Sequence, residues 1–550
     1  MAKQRFTGAL NAADFPFLSV LKGRSVVQPQ LDNNVRTTQT FYGTEESANY
    51  NIAQLLYCEN VLPTAEGLQS VGYEEVVPAL PGSGGVFDQA ITLRDTDENN
   101  FLFCPAGGRN YIYRGNVGAW VSTNPISAEG KQVSRAYVNG RTFICYAGLG
   151  IYEYDSVANT FSKLTLTGLT DAEVTGIGAS NNYLIAFTDI TVYWSSLIDP
   201  LDFVPSVLTG AGFSIPQDVK AKITTVIGTS GGFIIYTAKN AVAAVYTNNI
   251  RAPFSFKEVN NAGGITTYEQ VTSDQSAGPQ YAWTTGGLQK VTPQGSESIS
   301  AAINDFLAGG KYESWDSVNK RLVLMTGGGV EFGVKVTYIA SRFLILSYSV
   351  DGTSTYQYAI VYDTILKRWG KLRFDHNDCF AYPYPNVFGD LAYSDLAGTS
   401  YEAIGEASYS GLATGLESDP PSKKTVAFMK GDGSIHLLLM NYAKDVEQSG
   451  VAIFGKFQLI RARLCTMQTL DIETADTSDG DPSTPRIDVT LLTSRDGKNL
   501  AEANPMRLLK SSPGLQQYAK RKTGINHAIA VEGTFALTTY VLEVVNDGDR

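Results

Sequence analysis

The sequence of 550 residues has few cysteines and histidines, and neither type is grouped in a pattern typical of a site. The five cysteines are odd in number, lie far apart and contain no CxxC pair. They therefore predict neither a disulfide framework nor a zinc site, and we expect buried thiols in a reducing compartment. The three histidines, His376, His436 and His527, form no HExxH or HxH motif, so we interpret them as structural or surface residues.

Motifs of nucleotide chemistry are also missing. The chain has no GxxxxGK[ST] phosphate loop. Gly327, Gly329 and Gly333 come near to a dinucleotide fingerprint, but the spacing is one residue too long and strands follow. Asp-rich stretches at 95–98 and 476–481 lack EF-hand spacing, which favours exposed turns and leaves calcium binding open. We therefore predict that the protein is not an enzyme and has no catalytic, cofactor-binding or metal residues.

Long apolar runs and excess positive charge are absent as well. No stretch of about 18 apolar residues occurs, and polar residues interrupt every apolar run near the amino terminus, so we expect neither a membrane-spanning segment nor a signal peptide. Synthesis in the cytoplasm follows from this expectation. Lys and Arg number 43 against 54 Asp and Glu, a formal charge of −11. This balance disfavours tight, non-specific binding to nucleic acid.

Glycine, tyrosine and phenylalanine are abundant, with 53, 30 and 25 residues, a composition that favours turns and strands and predicts an all-β protein. Short apolar strands introduced by Asn, Gly or a charged turn begin near residues 99, 139, 181, 231, 279 and 319. A second strand follows each one, and the starts recur at intervals of about 40–50 residues, which is typical of propeller blades. We interpret residues 326–358 as a long blade or an inserted hairpin.

A second repeat consists of paired aromatic residues. The strings YDSVANTFSKL (154–164) and YDTILKRWGKL (362–372) are nearly alike, and YRGNVGAW (113–120) is a looser copy. In each copy an aromatic follows the leading tyrosine by seven positions. We predict that these residues fill the space between blades and have no catalytic role: Tyr113, Trp120, Tyr154, Phe161, Tyr362 and Trp369.

These patterns predict a six-bladed β-propeller at residues 84–410, with seven blades possible if a hairpin at 389–404 is counted. Residues 1–83 read as an extended arm and docking segment, and 411–424 as a linker with paired prolines. Residues 425–550 lack the repeat and predict a β-sandwich-like platform domain. The basic run Lys520, Arg521 and Lys522 is a candidate contact to phosphate or to another subunit, with a solvated face as the alternative.

Over about residues 45–415 the order and character of the segments resemble a viral family. The segments are YCENVLPTAEGLQSVGY from residue 57, SGGFIIYTAKNAVAAVYT from residue 230, NAGGITTYEQVTSDQSAGPQYAWTTGGLQKVTP from residue 261 and YAIVYDTILKRWGKL from residue 358. They resemble the tail hub or nozzle proteins of short-tailed bacteriophages (podoviruses). These proteins are also called packaged-DNA stabilisation proteins or tail tubular proteins B.

The resemblance implies a structural protein of the virion tail that forms a homo-hexameric ring below the portal and its adaptor ring. Such a ring would retain packaged DNA, conduct it at infection and support a fibre, spike or needle protein. Genomic double-stranded DNA would be a passing cargo, because an acidic wall repels it. The resemblance implies no catalytic residues and no cofactor. The alternative is a glycan-degrading or glycan-binding propeller at the tail or cell surface, marked by a carboxylate pair in a cleft or by exposed aromatics on several blades.

Overall fold

The computed structural model describes only part of the chain. The described residues are 3–9, 55–64, 67–80, 85–94, 100–114, 119–124, 126, 131–273, 278–300, 311–326, 333–339, 342–349, 353, 355–382, 425–439, 450–457, 464–474, 487–494, 502–512 and 515–546. Within them the regular elements are strands, apart from one 3₁₀ turn at Tyr268–Gln270. The predicted hairpin at 389–404, the linker at 411–424 and both Asp-rich stretches lie outside the described residues.

Five strands lie in the segment predicted to be an extended arm. They are β1 (Lys3–Ala9), β2 (Leu55–Glu59), β3 (Val61–Pro63), β4 (Leu68–Ser70) and β5 (Gly72–Val77). Each of them pairs with a strand from the second half of the chain, as described below.

Five antiparallel sheets of four strands follow in chain order. Sheets 1 and 2 contain β6 (Ile91–Arg94), β7 (Asn100–Ala106), β8 (Arg109–Arg114), β9 (Ala119–Ser122), β10 (Val133–Val138), β11 (Arg141–Tyr146), β12 (Gly150–Asp155) and β13 (Thr160–Lys163). Sheets 3, 4 and 5 contain β14 (Gly176–Ser180), β15 (Tyr183–Phe187), β16 (Val192–Trp194), β17 (Gly212–Ser214), β18 (Ile223–Thr229), β19 (Gly232–Thr237), β20 (Ala241–Tyr246), β21 (Phe254–Glu258), β22 (Val271–Ser273), β23 (Gln280–Thr284), β24 (Gly287–Thr292) and β25 (Gly295–Ser298).

A separate hairpin comes next, then four strands at one end of an 11-stranded sheet, here called sheet 6, and then a further four-stranded sheet. The hairpin is β26 (Lys311–Asp316) and β27 (Arg321–Thr326). Sheet 6 contains β28 (Val334–Ile339), β29 (Phe343–Tyr348), β30 (Tyr356–Asp363) and β31 (Arg368–His376). Sheet 7 joins β5 to β32 (Asp378–Tyr382), β33 (Thr425–Met429) and β34 (Ile435–Leu439).

The last eight strands form two sheets that pack face to face. They are β35 (Gly450–Phe457), β36 (Cys465–Thr474), β37 (Ile487–Ser494), β38 (Glu502–Pro505), β39 (Arg507–Ser512), β40 (Leu515–Gly524), β41 (Asn526–Gly533) and β42 (Ala536–Asn546). The β40 sheet has the order β39–β40–β36–β42, with β1 and β4 both paired to β42. Through β4 and β3 it is continuous with sheet 6, and together they form the 11-stranded sheet. The β41 sheet has the order β2–β35–β41–β37–β38. A shared core of buried apolar residues, including Phe454, Leu470 and Ile529, lies between the two sheets.

Local sequence explains why the strands of sheets 1 to 4 form where they do. Their second strands are continuous apolar runs, as in Tyr183–Phe187. Both faces of these sheets are covered, so apolar and polar side chains do not need to alternate along the strand. The preceding turns place Asn139–Gly140 and Asn181–Asn182 at positive φ, the conformation of a tight hairpin that twists with its strands. Asn139 and Asn181, which precede two of the repeated strands, are therefore turn residues.

Seven clusters of buried apolar residues join the sheets in a closed cyclic order. They lie between sheets 1 and 2, 2 and 3, 3 and 4, 4 and 5, 5 and 6, 6 and 7, and finally 7 and 1. Four-stranded antiparallel sheets that follow one another in chain order and bury both faces against their neighbours are organised as a β-propeller. The core thus lies between sheets.

The blade assignment needs one correction. The sixth predicted strand start, near residue 319, belongs to the β26–β27 hairpin, whereas sheet 6 comes from the segment interpreted as a long blade or an insertion. Counting β28–β31, the described residues contain seven such four-stranded units; six blades were preferred and seven left open, and the number of blades stays a prediction. The seventh lacks the repeat period because its strands come from residues 72–77 and 378–439.

Strand pairing also crosses both predicted domain boundaries. β5 comes from the predicted arm, and β33 and β34 come from the predicted platform, yet all three belong to sheet 7. β2 and β4 join the two terminal sheets, and β3 pairs with β31 of sheet 6. The amino-terminal strands therefore connect the cyclic sheets to the terminal pair, which a linear reading of the chain does not reveal.

Candidate functional site

The predicted aromatic residues lie directly opposite one another across the outer hairpins. Their pairs are in register, with ring centroids 5.6 Å apart for Tyr113 and Trp120, 5.1 Å for Tyr154 and Phe161, and 4.5 Å for Tyr362 and Trp369. The spacing of seven is thus the length of a hairpin turn between two paired positions.

The same residues also contact the neighbouring sheet. Phe161 packs 4.8 Å from Phe103 of sheet 1, measured between ring centroids. The indole of Trp120 donates a hydrogen bond of 2.8 Å to the carbonyl of Gly433, in the turn before β34 of sheet 7. Trp369 lies in the cluster between sheets 5 and 6. These positions fit a packing role between sheets.

A third close copy of the repeated string is WDSVNKRL at 315–322, which the sequence comparison missed. In all three copies an aspartate caps the turn: Oδ1 of Asp155, Asp316 and Asp363 accepts two backbone N–H groups. The turn depends only on local sequence, so it occurs both inside and outside the four-stranded sheets. Asp316, for example, lies in the separate hairpin.

The histidines and cysteines are held as structural residues in the described part. His376 is fully buried, with its ring nitrogens 2.6 Å from the Phe374 carbonyl and 2.8 Å from the Ser347 hydroxyl. Burial lowers the pKa of His376 to about 4 and raises the pKa of Cys58 and of Cys145 to about 12. These shifts keep the imidazole neutral and the thiols protonated at neutral pH.

A buried ion pair lies where the cyclic order closes. Lys335 at the start of β28 binds Asp378 at the start of β32, and Oδ2 of Asp378 accepts the Ala90 N–H at 2.5 Å. Oδ1 also accepts the N–H of Cys379 at 2.5 Å. Burial raises the pKa of Asp378, and Lys335 opposes this rise. One carboxylate thus joins sheets 6 and 7 to the strand that opens sheet 1.

Two more carboxylates surround this pair. Glu269 lies in the 3₁₀ turn before β22, and burial raises its pKa. Burial alone would lower the pKa of Lys335, but Asp378 and Glu269 together hold it above its usual value. The third carboxylate, Asp88, accepts a hydrogen bond of 3.2 Å from the amide of Asn377. The described residues contain no group of three or more His, Cys, Asp and Glu side chains arranged to hold a metal ion.

Side chains cross the centre of the cyclic arrangement near this cluster. The Tyr268 hydroxyl, before sheet 5, donates a hydrogen bond of 3.1 Å to Gln89, before sheet 1. Gln132, before sheet 2, donates one of 3.3 Å to the Thr224 carbonyl in sheet 4. Each bond spans sheets that are not neighbours, so the space along the axis is much narrower than a DNA duplex.

A group of exposed apolar residues lies on the loop that joins β16 to β17, residues 195–211, here called the sheet-3 loop. Ile198 is 80% exposed and Leu208 is 89% exposed. Exposed apolar residues also occur elsewhere on the loop and directly after it, at Leu197, Val204, Val207, Phe213 and Ile215. Exposed apolar residues that occur together are a recognised sign of an interaction surface. The sequence carried this signal, since the loop is far longer than the other outer turns, but the analysis of repeats passed over it.

The predicted basic run lies on β40, beside the edge strand β39. Arg521 is exposed, while Lys520 and Lys522 are half-buried. Arg507 and Lys510 of β39 are exposed beside them. In the described part of the chain, no strand pairs with the outer edge of β39. The structure thus places the run within a larger basic edge.

Comparisons with known proteins return similarity of shape without sequence relatives. No family model matches the chain, and no curated protein is significantly similar to it. One similar solved structure is a chain of the "Crystal Structure of Mitotic Checkpoint Complex", with 8% identity over 67% of this chain and 91% of that chain, at a TM-score of 0.35. Another is the WD40 beta propeller domain of Doa1, with 9% identity over 68% of this chain and 98% of that chain, at a TM-score of 0.37.

The strand pairing and the cyclic clusters define the class of protein, which is an all-β β-propeller with two additional packed sheets. No helix in the described residues is long and apolar enough to span a membrane.

Proposed function

We propose that this protein is a structural component of a short bacteriophage tail, built as a closed seven-bladed propeller with a β-sandwich platform. Several copies form a ring, the nozzle or hub, which extends the DNA channel below the portal and its adaptor. Besides the segments quoted above, the support is a rigid connection between the two parts of the chain, which suits a protein under mechanical load.

That connection is carried by the strands before residue 77. The side-chain oxygen of Asn60, between β2 and β3, accepts the Arg373 N–H of sheet 6 at 2.9 Å and the Tyr73 hydroxyl at 3.2 Å. Glu59 binds the Arg373 guanidinium at 3.3 Å. Gly370 of β31 is needed there, because a Cβ would come within 2.6 Å of the Val61 carbonyl.

A buried lysine strengthens the same junction. The ammonium of Lys371 on β31 lies 4.8 Å from the ring centre of Tyr57 on β2 and 4.6 Å from that of Tyr358 on β30. A cation between two aromatic rings is stabilised by both, more strongly when it is shielded from water. Propeller and platform therefore behave as one unit, and this observation carries the proposal of a scaffold.

The crossed centre of the propeller supports a ring of several chains. Hydrogen bonds between sheets that are not neighbours leave no room for duplex DNA through a single chain. A DNA channel would have to lie between copies, as in the proposed homo-hexamer. The net charge of −11 lets packaged DNA pass without adhering, and fibre, spike or needle proteins would bind the outside of the virion tail.

Electron microscopy of the purified full-length chain, together with mass photometry over a range of concentrations, tests this function. We expect rings of about six copies with a central opening wider than a duplex. A chain that stays monomeric at every concentration and binds glycans on an array would contradict the proposal and favour a glycan-binding propeller.

A further inference from the structure

We propose that the sheet-3 loop of one copy docks against the β39 edge of the next copy. This inference rests on the proposed ring and names the two surfaces that would build it. It concerns the sheet-3 loop together with β17 and Ile215 (195–215) on one side, and the described residues 507–512 and 515–522 on the other.

The sheet-3 loop is held in one shape by its own hydrogen bonds. Oδ1 of Asp199 and Oδ1 of Asp202 each accept a backbone N–H two residues on, at 3.0 Å. The indole of Trp194 donates a hydrogen bond of 2.9 Å to the carbonyl of Gly210. Phe203 is completely buried beneath the loop. A preorganised loop loses little conformational entropy when a partner binds its apolar side chains.

The loop also packs closely against the connection between β13 and β14. At Gly168, with φ at +82°, a Cβ would come within 2.9 Å of Val204. The Phe203 N–H donates 2.9 Å to the Thr167 carbonyl beside it. The exposed side chains of Ile198 and Leu208 are therefore held in place by an ordered backbone. Their exposure to water does not stabilise the single chain.

The β39 edge offers the matching features. Leu509 of β39 is 55% exposed and Leu515 at the start of β40 is 37% exposed. Residues 507–522 contain five basic residues and no acidic one. Basic residues on an edge strand often prevent unwanted strand pairing, and this simpler role is an outcome that the test below separates.

Charge and topology point to a second copy as the occupant. Residues 195–215 contain two aspartates and no basic residue, so the two surfaces are complementary in charge as well as apolar. The amino-terminal strands attach the β40 sheet to sheet 6 through β3 and to sheet 7 through β5. In the cyclic order, sheets 6 and 7 each lie three positions away from sheet 3. One chain cannot bring its own two surfaces together. A heterologous contact of this kind closes into a ring when the rotation between copies fits.

Mixed cross-linking tests the contact. Leu208→Cys and Leu509→Cys chains are prepared separately, mixed under ring-forming conditions and treated with a short bismaleimide. We expect a cross-linked dimer in the mixture at least tenfold above either variant alone. Val157→Cys replaces Leu208→Cys as the matched control, because Val157 is 96% exposed but lies on a turn of sheet 2. Melting curves check that each variant folds.

The outcomes separate the two proposals. If wild-type rings form while the Leu208 and Val157 mixtures cross-link equally or not at all, the docking surfaces are overturned and the ring stands. If the wild-type chain stays monomeric, the proposed function fails and this inference with it. Rings that cross-link selectively in the Leu208 mixture support both.

Substitutions on each side give an independent readout. Leu208→Asp and the pair Arg507→Glu/Lys510→Glu should each weaken self-association at least tenfold, whereas Val157→Asp should not. Higher salt should weaken the wild-type association through the same charges. If the basic residues only protect a strand edge, the Arg507 and Lys510 variant will aggregate without losing ring formation, which contradicts the inference.

Discussion

Replacing Lys335 with methionine tests the buried ion pair that joins sheets 6, 7 and 1. Asp378 is completely buried, and the variant leaves its carboxylate without a counter-charge. Removing one partner of a buried pair typically costs about 3–5 kcal/mol of folding free energy. The N–H groups of Ala90 and Cys379 remain and still stabilise the charge, so we expect a loss of about 3 kcal/mol at neutral pH.

The pH dependence of this loss follows from the same contacts. Burial raises the pKa of Asp378, and Lys335 is the cation that opposes the rise. A carboxyl group with a raised pKa in the folded state destabilises the fold as pH rises through that pKa. Without Lys335 the pKa of Asp378 rises further, so the deficit should be largest at alkaline pH and should shrink as the pH is lowered and the carboxyl group becomes protonated.

Urea unfolding followed by tryptophan fluorescence measures the effect on full-length wild type, Lys335→Met and the double variant Lys335→Met/Asp378→Asn. The asparagine keeps an oxygen acceptor for the backbone donors but carries no charge, so the double variant should recover most of the loss. An equal deficit at all pH values, or a double variant no more stable than the single one, would refute this reasoning.

Three further predictions concern packing, charge and DNA. Trp120→Ala, Phe161→Ala and Trp369→Ala should each cost about 3–5 kcal/mol in the same unfolding assay, whereas the exposed Val157→Ala should change little. Glu269→Gln should raise the melting temperature more at alkaline than at acidic pH, because burial raises the pKa of Glu269 and its ionisation opposes folding; no gain at any pH would contradict this. The isolated chain should bind duplex DNA poorly at physiological salt in a retention assay, and tight, salt-sensitive binding would argue against a non-adhesive conduit and direct attention to Lys520–Lys522.

Much of the propeller could be predicted from the sequence because its signals are local. A turn such as Asn139–Gly140 and the apolar strand after it are determined by neighbouring residues, so the period of the sheets was readable. The spacing of Tyr154 and Phe161 likewise reflects a single hairpin. The prediction near residue 319 was wrong for the same reason. The local sequence there forms a hairpin with an aspartate-capped turn, but this hairpin lies outside the four-stranded sheets.

What the sequence determined by itself was the all-β class, the repeated hairpins and the aromatic residues between them, since these depend on turn geometry and side-chain alternation. Tertiary structure alone decided the seventh sheet, where Leu437 pairs with Glu74, and the approach of Lys335 to Asp378. Only the folded chain shows that Leu208 is exposed while nearby Phe203 is buried. These features depend on contacts between residues that are far apart in sequence, or on burial that only the folded chain creates. Such contacts produce no periodic pattern along the sequence, so an analysis of local patterns does not detect them.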